Sequence, residues 1–343
     1  MRYNQNMDID NIIGIFQTYG IEVSLFKETS GAQVARYILK AKSKEDVEKF
    51  ISVKDDLSLA LESAFSYTRT YISKTDALEI VVELPKAQKE FVYLTEELKE
   101  CKEELVKLSI PLILGRDLED NLVIKDITET GSFLMSGSTG TGKSVFINSL
   151  INTVLVLKES EEVKFVMIDP KVVELPFYNG IANLLFPVVT DMDKALKVLT
   201  WCVDEIERRK NEYRKKPYIV ILVDEFADLI LCGNGLDSVI EKIAKNGKEV
   251  GVDMLLSTSK PSDTVFTEKL TKCIPNRIAF ALATKEESTK VIGEEGGETL
   301  IGNGDMIYRN VDTKEEIRIQ APYVPYDEAE TMVKNRINKA NSK

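Results

Sequence analysis

Read for its hydrophobic and polar positions alone, the chain changes texture near residue 109. Before that point short alternating runs are mixed with helical spacing. "IEVSLF" (21–26) and "AQVARYIL" (32–39) are β-prone stretches flanking an "SG" turn. "SKEDVEKFISVKDDLSLALESAF" (43–65) places Ser43 as a cap ahead of roughly helical apolar spacing. "ALEIVVELP" (77–85) alternates and then stops at a proline. "TEELKECKEELVKL" (95–108) predicts one solvated helix, capped by Thr95, with Glu/Lys pairs four residues apart. Beyond "SIPLILGRD" (109–117), apolar runs of strand length alternate with long helical segments. The candidate strands are "FLMSG" (133–137), "KFVMID" (164–169), "YIVILVD" (218–224), "DMLLST" (253–258) and "RIAFAL" (277–282). Apolar strands joined by helix-length connections require a parallel sheet covered on both faces. The pattern therefore predicts a small α/β domain over 1–108 and a larger α/β domain over 109–343, with a parallel central sheet and a C-terminal helix.

Composition narrows the chemistry. The longest apolar run, "YIVILV" (218–223), has the length of a buried strand, well short of the ~20 residues that cross a bilayer. The polar start "MRYNQNMDID" reads as neither signal nor anchor, so a cytoplasmic location without membrane insertion is expected. The chain has no histidine, which excludes Ser-His-Asp and Cys-His catalysis and every histidine-containing zinc site. Four scattered cysteines without a C-x-x-C spacing read as free thiols in a reducing compartment. A net charge of −11 means that a polyanionic partner would have to meet a local basic surface.

One segment carries most of the legible chemistry. "GSTGTGKS", Gly137 to Ser144, fits G-x-x-x-x-G-K-S/T in full, behind a β-rich run and ahead of a helix over 144–157. Gly137, Gly140 and Gly142 let the backbone curl, so that successive N–H groups can face phosphates at a positive helix end, with Ser138, Thr139, Thr141 and Val145 among the ATP-binding residues. Lys143 is expected to reach the β- and γ-phosphates, and Ser144 to ligate Mg²⁺. "IVILVDE" (219–225) supplies a strand ending in Asp224, suited to the water shell of the magnesium, and Glu225, suited to polarise an attacking water. Two acids at that strand end, with no base-reading motif, favour ATP hydrolysis over a GTPase.

The ordered segments "LGRDL" (114–118), "GSTGTGKSVFIN" (137–148), "VMIDPKVVEL" (166–175), "VVTDMDKALKVLTWCVDEIERR" (188–209), "PYIVILVDEFADL" (217–229), "IPNRIAF" (274–280) and "GGETLIGNGDMIY" (296–308) resemble the motor of the FtsK/SpoIIIE family of double-stranded DNA translocases. Residues 20–94 resemble the small domain that precedes that motor. The resemblance implies a RecA-like P-loop NTPase (ASCE) fold, ATP with Mg²⁺, and a homo-oligomeric, hexameric ring with duplex DNA in its pore and ATP between subunits. It places Lys260 and Lys285 in pore-facing loops, with Lys290 beside the family's arginine position, now Thr289. Ser259 stands where relatives carry a glutamine that senses the γ-phosphate. Lys248 falls where a trans-acting arginine finger is expected, and a lysine lacks the planar fork of arginine. Arg277 and Arg309 are further trans candidates, with Arg277 alternatively a packing residue at a strand start.

The resemblance also sets expectations by what the chain does not contain: no membrane-spanning N-terminal region and no winged-helix module after the motor. A minimal, soluble motor serving a mobile element, plasmid or phage is the expectation, with direction supplied by a loading or relaxase-type partner. Two alternatives stand beside it. One is a protein-secretion ATPase of related architecture; the other is a weakly hydrolysing adaptor for DNA or a relaxase.

Overall fold

The computed structural model describes residues 5–233 and 235–341, so the polar segment 1–10 lies partly outside the described residues. It divides into two compact units. One comprises the chain up to Phe91 with 116–121 and 299–301; the other comprises 92–115, 122–298 and 302–343.

The first unit contains α1 (Gln5–Thr18), β1 (Val23–Ser30), β2 (Val34–Ala41), α2 (Lys44–Phe65), β3 (Arg69–Ile72) and β4 (Glu79–Pro85). Its four strands form a sheet in the order β1-β2-β4-β3, antiparallel throughout. Ser43 caps α2 as expected, its side chain accepting from the Asp46 N–H. Phe50, Leu57 and Leu61 of α2 pack with Ile12, Phe16, Leu39, Ile80 and Val82 to form this unit's core.

The second unit runs α3 (Leu94–Glu100), α4 (Lys102–Leu105), β5 (Pro111–Asp117), β6 (Leu122–Asp126), α5 (Ile127–Thr130), β7 (Phe133–Ser136), α6 (Lys143–Leu157), β8 (Val163–Ile168), α7 (Met192–Glu212) and β9 (Tyr218–Val223). It continues with α8 (Phe226–Leu231), α9 (Leu236–Asn246), β10 (Val252–Thr258), α10 (Glu268–Cys273), β11 (Asn276–Phe280), α11 (Lys285–Ile292), β12 (Asp305–Asn310), β13 (Glu316–Gln320) and α12 (Tyr326–Asn341).

Two expectations for 92–108 are corrected. The compact units divide at Phe91/Val92 rather than at 108, because Leu94, Leu98 and Leu105 bury against Ile113, Val324 and Ala329 of the second unit. The single solvated helix is broken at Cys101 into α3 and α4, and the cap position is Tyr93, without a side-chain cap bond, not Thr95. The charge-rich face concealed an apolar anchor.

The five expected strands are all present and lie side by side as β8-β9-β10-β7-β11, every neighbouring pair parallel. They belong to a nine-stranded sheet of order β6-β5-β13-β12-β11-β7-β10-β9-β8, in which β12 pairs antiparallel with both β11 and β13. Val220, Ile221, Leu222 and Val223 of β9 are wholly buried, each side chain contributing about 1.5–3 kcal/mol by leaving water. On α6, Phe146, Leu150, Ile151 and Val154 face the sheet, and Phe146 meets Phe280 edge-on at 6.0 Å.

Parallel pairing has a direct consequence for function. The C-terminal ends of β7, β8, β9, β10 and β11 share one edge, so the loops after them converge, as ligand sites in open α/β sheets do. The "WCVDEIERR" segment braces the opposite edge, where the strands begin. Arg209, 1% exposed, donates to Glu205 Oε1 (2.7 Å) and to the carbonyls of Lys215 (2.9 Å), Pro217 (2.7 Å) and Val250 (3.0 Å), tying α7 to the starts of β9 and β10.

Candidate functional site: a nucleotide cradle at the strand ends

The loop 137–142 links β7 to α6 through two left-handed glycines, Gly140 (φ 79°) and Gly142 (φ 119°). Gly137 is required for a different reason: a Cβ there would lie 2.6 Å from Phe280 Cβ. The loop is fixed from both sides. The Ser138 N–H donates to Ala281 O (2.8 Å) after β11, and the Gly304 N–H donates to Thr141 O (2.9 Å) at the start of β12. Thr139 and Gly140 remain exposed, while Ser144 and Val145 are half-buried in the first turn of α6. Lys143 folds back, its Nζ donating to Gly137 O (2.6 Å) and Ser138 O (2.9 Å). Burial lowers its pKa; Glu225 and Asp224 pull the other way and Lys171 adds to the lowering.

Across the cradle stand the acids that end β8 and β9. Asp169 is fully buried and accepts five backbone N–H bonds, from Lys171 through Leu175, at 2.9–3.1 Å. This pins a tight loop in which even Val172 adopts a left-handed backbone (φ 59°). Among the described residues the Asp224 carboxylate has no hydrogen-bond partner. Burial lifts its pKa to about 6, helped by the charges of Asp169, Glu174 and Glu225 and opposed by Lys143.

Glu225 is 4% exposed and left-handed itself (φ 63°, ψ 60°) at the N-cap of α8. It accepts from Thr258 Oγ1 and Ser259 Oγ, from the Ser259 N–H (3.1 Å to each oxygen) and from Lys171 Nζ (2.9 Å). Burial alone would raise the Glu225 pKa; the bonds from Ser259, Thr258 and Lys171 outweigh it and hold the carboxyl below its ordinary value. Lys171 is held above its ordinary value despite partial burial, through its bond to Glu225 and the charges of Glu225, Asp228 and Asp224.

These residues fit a magnesium–nucleotide. The donor set is hard oxygen, the Asp224 carboxylate lacks a counter-ion bond, and the glycine cradle leaves backbone N–H groups for phosphates. Among the described residues no group of three or more Asp, Glu, Cys or His side chains could hold a metal by itself. A cation here would therefore take the Ser144 hydroxyl, Asp224 through water, and phosphate oxygens.

The remaining sequence candidates fall in different places. Ser259 is in the site, on Glu225. Lys260, Lys285 and Lys290 follow β10 and β11 on the same edge, but each is paired: Lys260 to Asp228 (3.6 Å), Lys285 to Glu295 (3.3 Å) and Lys290 to Asp263 (3.0 Å). Lys248 precedes β10 and so lies at the opposite edge, roughly 20 Å away by strand rise. There it lines a cavity of about 540 Å³ with Lys125, Asp126, Glu129 and Glu315. Arg277 is buried in β11, 3% exposed, and donates to Thr271 O; burial lowers its pKa to about 10. As a donor to a neighbouring subunit it is thereby corrected to the packing residue at a strand start. Arg309 pairs with Glu294 (2.8 Å) and Glu316 (3.2 Å) and stays partly exposed. Sequence reasoning gave no role to Asp169, Lys171, Thr258 or Gly304. For the first two a signal existed: an acid at the end of a buried strand, then proline and lysine.

Fold and site together define a P-loop ATPase, with a RecA-like α/β sheet carrying its nucleotide loop and acids on one edge. Residues 93–216 match the FtsK/SpoIIIE family. The protein "DNA translocase FtsK" of Haemophilus influenzae is 34% identical over 356 residues, covering 91% of this chain and 67% of that protein. Proteins of the same name from Clostridium acetobutylicum (34% identical, 92% of this chain, 44% of that protein) and Leptospira interrogans (33%, 93%, 36%) align equally well. The chain belongs to the FtsK/SpoIIIE family, and it spans less than half the length of the clostridial and leptospiral relatives. Among solved structures, the fold is shared with the pCW3 conjugation coupling protein TcpA, monomer form with ATPγS. That match has a TM-score of 0.60 at 15% identity, over 96% of this chain and 99% of that one. The cytoplasmic domain of the type VII secretion ATPase EccC of Thermomonospora curvata matches with a TM-score of 0.59 at 22% identity, over 66% of this chain and 31% of that one. Among the described residues no helix is long and apolar enough to cross a membrane.

Proposed function

We propose that this chain is an ATP-driven motor that moves along double-stranded DNA. The observation that carries the reading is the link between fuel site and loop: Glu225 is hydrogen-bonded to Ser259, and the next residue is Lys260. A carboxylate suited to activate water and a lysine suited to meet a phosphate backbone thus stand at the ends of two neighbouring parallel strands, on one sheet edge. The relatives named DNA translocase FtsK, 33–34% identical over more than nine-tenths of the chain, supply the substrate class.

In this reading the backbone of 137–142 and Lys143 hold the triphosphate. Ser144 and Asp224 hold the magnesium, which when bound neutralises phosphate charge, and Glu225 takes the proton of the attacking water. Lys260, Lys285 and Lys290 meet DNA phosphates, so binding is independent of sequence and falls with salt. Their present pairs with Asp228, Glu295 and Asp263 each have an exposed member and are therefore weak enough for phosphates to displace. The working form is a homo-oligomeric ring, hexameric as the resemblance implies, in the cytoplasm. Lys248, too far from its own cradle, serves the neighbour's nucleotide, and Arg309 is the second candidate for that role. The first unit corresponds to the small domain that precedes the family motor.

The test is steady-state ATPase with and without linear duplex DNA, followed by displacement of a triplex-forming strand. DNA-stimulated turnover with displacement is expected. Stimulation by a secreted peptide but not by DNA would overturn the reading in favour of an export ATPase.

A further inference from the structure

Glu225 is over-satisfied for a catalytic base. A carboxylate offers about four lone-pair sites. Here Oε1 accepts from Thr258 Oγ1 and the Ser259 N–H, while Oε2 accepts from Lys171 Nζ, the Ser259 N–H and Ser259 Oγ. No acceptor site is left for a water, so one of these donors must leave before the carboxylate can take a proton.

The donors differ in how easily they can leave. Thr258 is wholly buried at the end of β10, and Ser259 follows it directly. Lys171 sits on the loop that Asp169 pins through five N–H bonds, so its backbone is fixed, but its side chain is 42% exposed on a flexible four-carbon stem. It also stands on the same sheet edge as the 137–142 loop, since β8, β9, β10 and β7 run parallel and Lys171 follows β8. An ammonium between a carboxylate and a phosphate cradle has two possible partners. Only the first is present before nucleotide binds.

We propose that Lys171 is a positioning residue that caps Glu225 at rest and exchanges that carboxylate for the terminal phosphate of the bound triphosphate, which uncaps the base. The proposal rests on the reading of the 137–144 loop as the ATP site. It makes the γ-phosphate, absent from a diphosphate, the trigger for its own hydrolysis, and it explains why a pinned loop carries an exposed cation.

Equilibrium binding of fluorescent ADP and of a fluorescent non-hydrolysable ATP analogue to the full chain tests it. Lys171→Met should weaken the triphosphate about tenfold or more, the worth of one charge-assisted hydrogen bond, and leave ADP within about twofold. Unchanged ADP binding also reports that the variant is folded. Lys171→Arg should retain most of the preference for triphosphate. Glu225→Gln should strengthen triphosphate binding by releasing Lys171, and that gain should vanish in the Lys171→Met/Glu225→Gln double variant. An equal change for both nucleotides in Lys171→Met, or a gain in Glu225→Gln that survives without Lys171, overturns the exchange. Lys143→Ala separates the two readings: loss of both nucleotides there upholds the ATP site whatever Lys171 does. A wild-type chain that binds neither probe overturns both.

Discussion

Asp253 offers a pH-dependence that can be worked through from the structure. It is the second residue of β10, wholly buried, and neither carboxylate oxygen has a hydrogen-bond partner. Burial lifts its pKa from 3.8 to about 7; Lys248 pulls it down and Asp126 pushes it up. The folded state therefore holds this proton more tightly than the unfolded chain does. Below about pH 3.8 the group is protonated in both states and has no effect. As pH rises toward about 7 the folded state is progressively penalised, and above that the penalty is constant. At about 1.36 kcal/mol per pH unit the ceiling is roughly 4 kcal/mol, of which roughly 2–3 kcal/mol accrues between pH 5 and 8.

Asp253→Asn removes the titration while keeping the shape. Urea unfolding followed by the fluorescence of Trp201, the single tryptophan, which lies on α7 of the second unit, would report the relevant unit. With no histidine in the chain, the slope from pH 5 to 8 is not masked by imidazole. The stability difference between Asp253→Asn and wild type should grow in favour of the variant by roughly 2–3 kcal/mol over that range. Any fixed cost of burying the amide cancels in the comparison. Parallel pH curves for the two proteins would refute the reasoning.

Three further outcomes are expected. Arg209→Ala should destabilise the second unit by about 3 kcal/mol in the same assay, because it leaves three carbonyls without this donor, while Glu205 keeps its pair with Arg208. Glu225→Gln should lower ATP turnover by about 10²–10⁴-fold in a phosphate-release assay while nucleotide still binds, since an amide cannot accept the proton of water. Charge reversal at Lys260 and Lys285 should reduce DNA-stimulated turnover more than basal turnover and flatten its salt dependence; equal loss of both would assign these lysines to the fold.

The five parallel strands and the nucleotide loop were legible in the sequence because their information is local. A run such as "YIVILV" is apolar at every position only if both faces are covered, and glycines at 137, 140 and 142 are demanded by a tight backbone path. The helix N-cap at Ser43 was readable on the same grounds. What local pattern could not carry was partnership across the sheet edge. Glu225 is 34 residues from Ser259 and 54 from Lys171, and only parallel pairing of β8, β9 and β10 brings their ends together. The burial of Arg277, the acids facing Lys260, Lys285 and Lys290, and the anchoring of 92–108 were hidden for the same reason. Spacing along the chain reports which face a residue takes, whereas packing in three dimensions decides what meets it there.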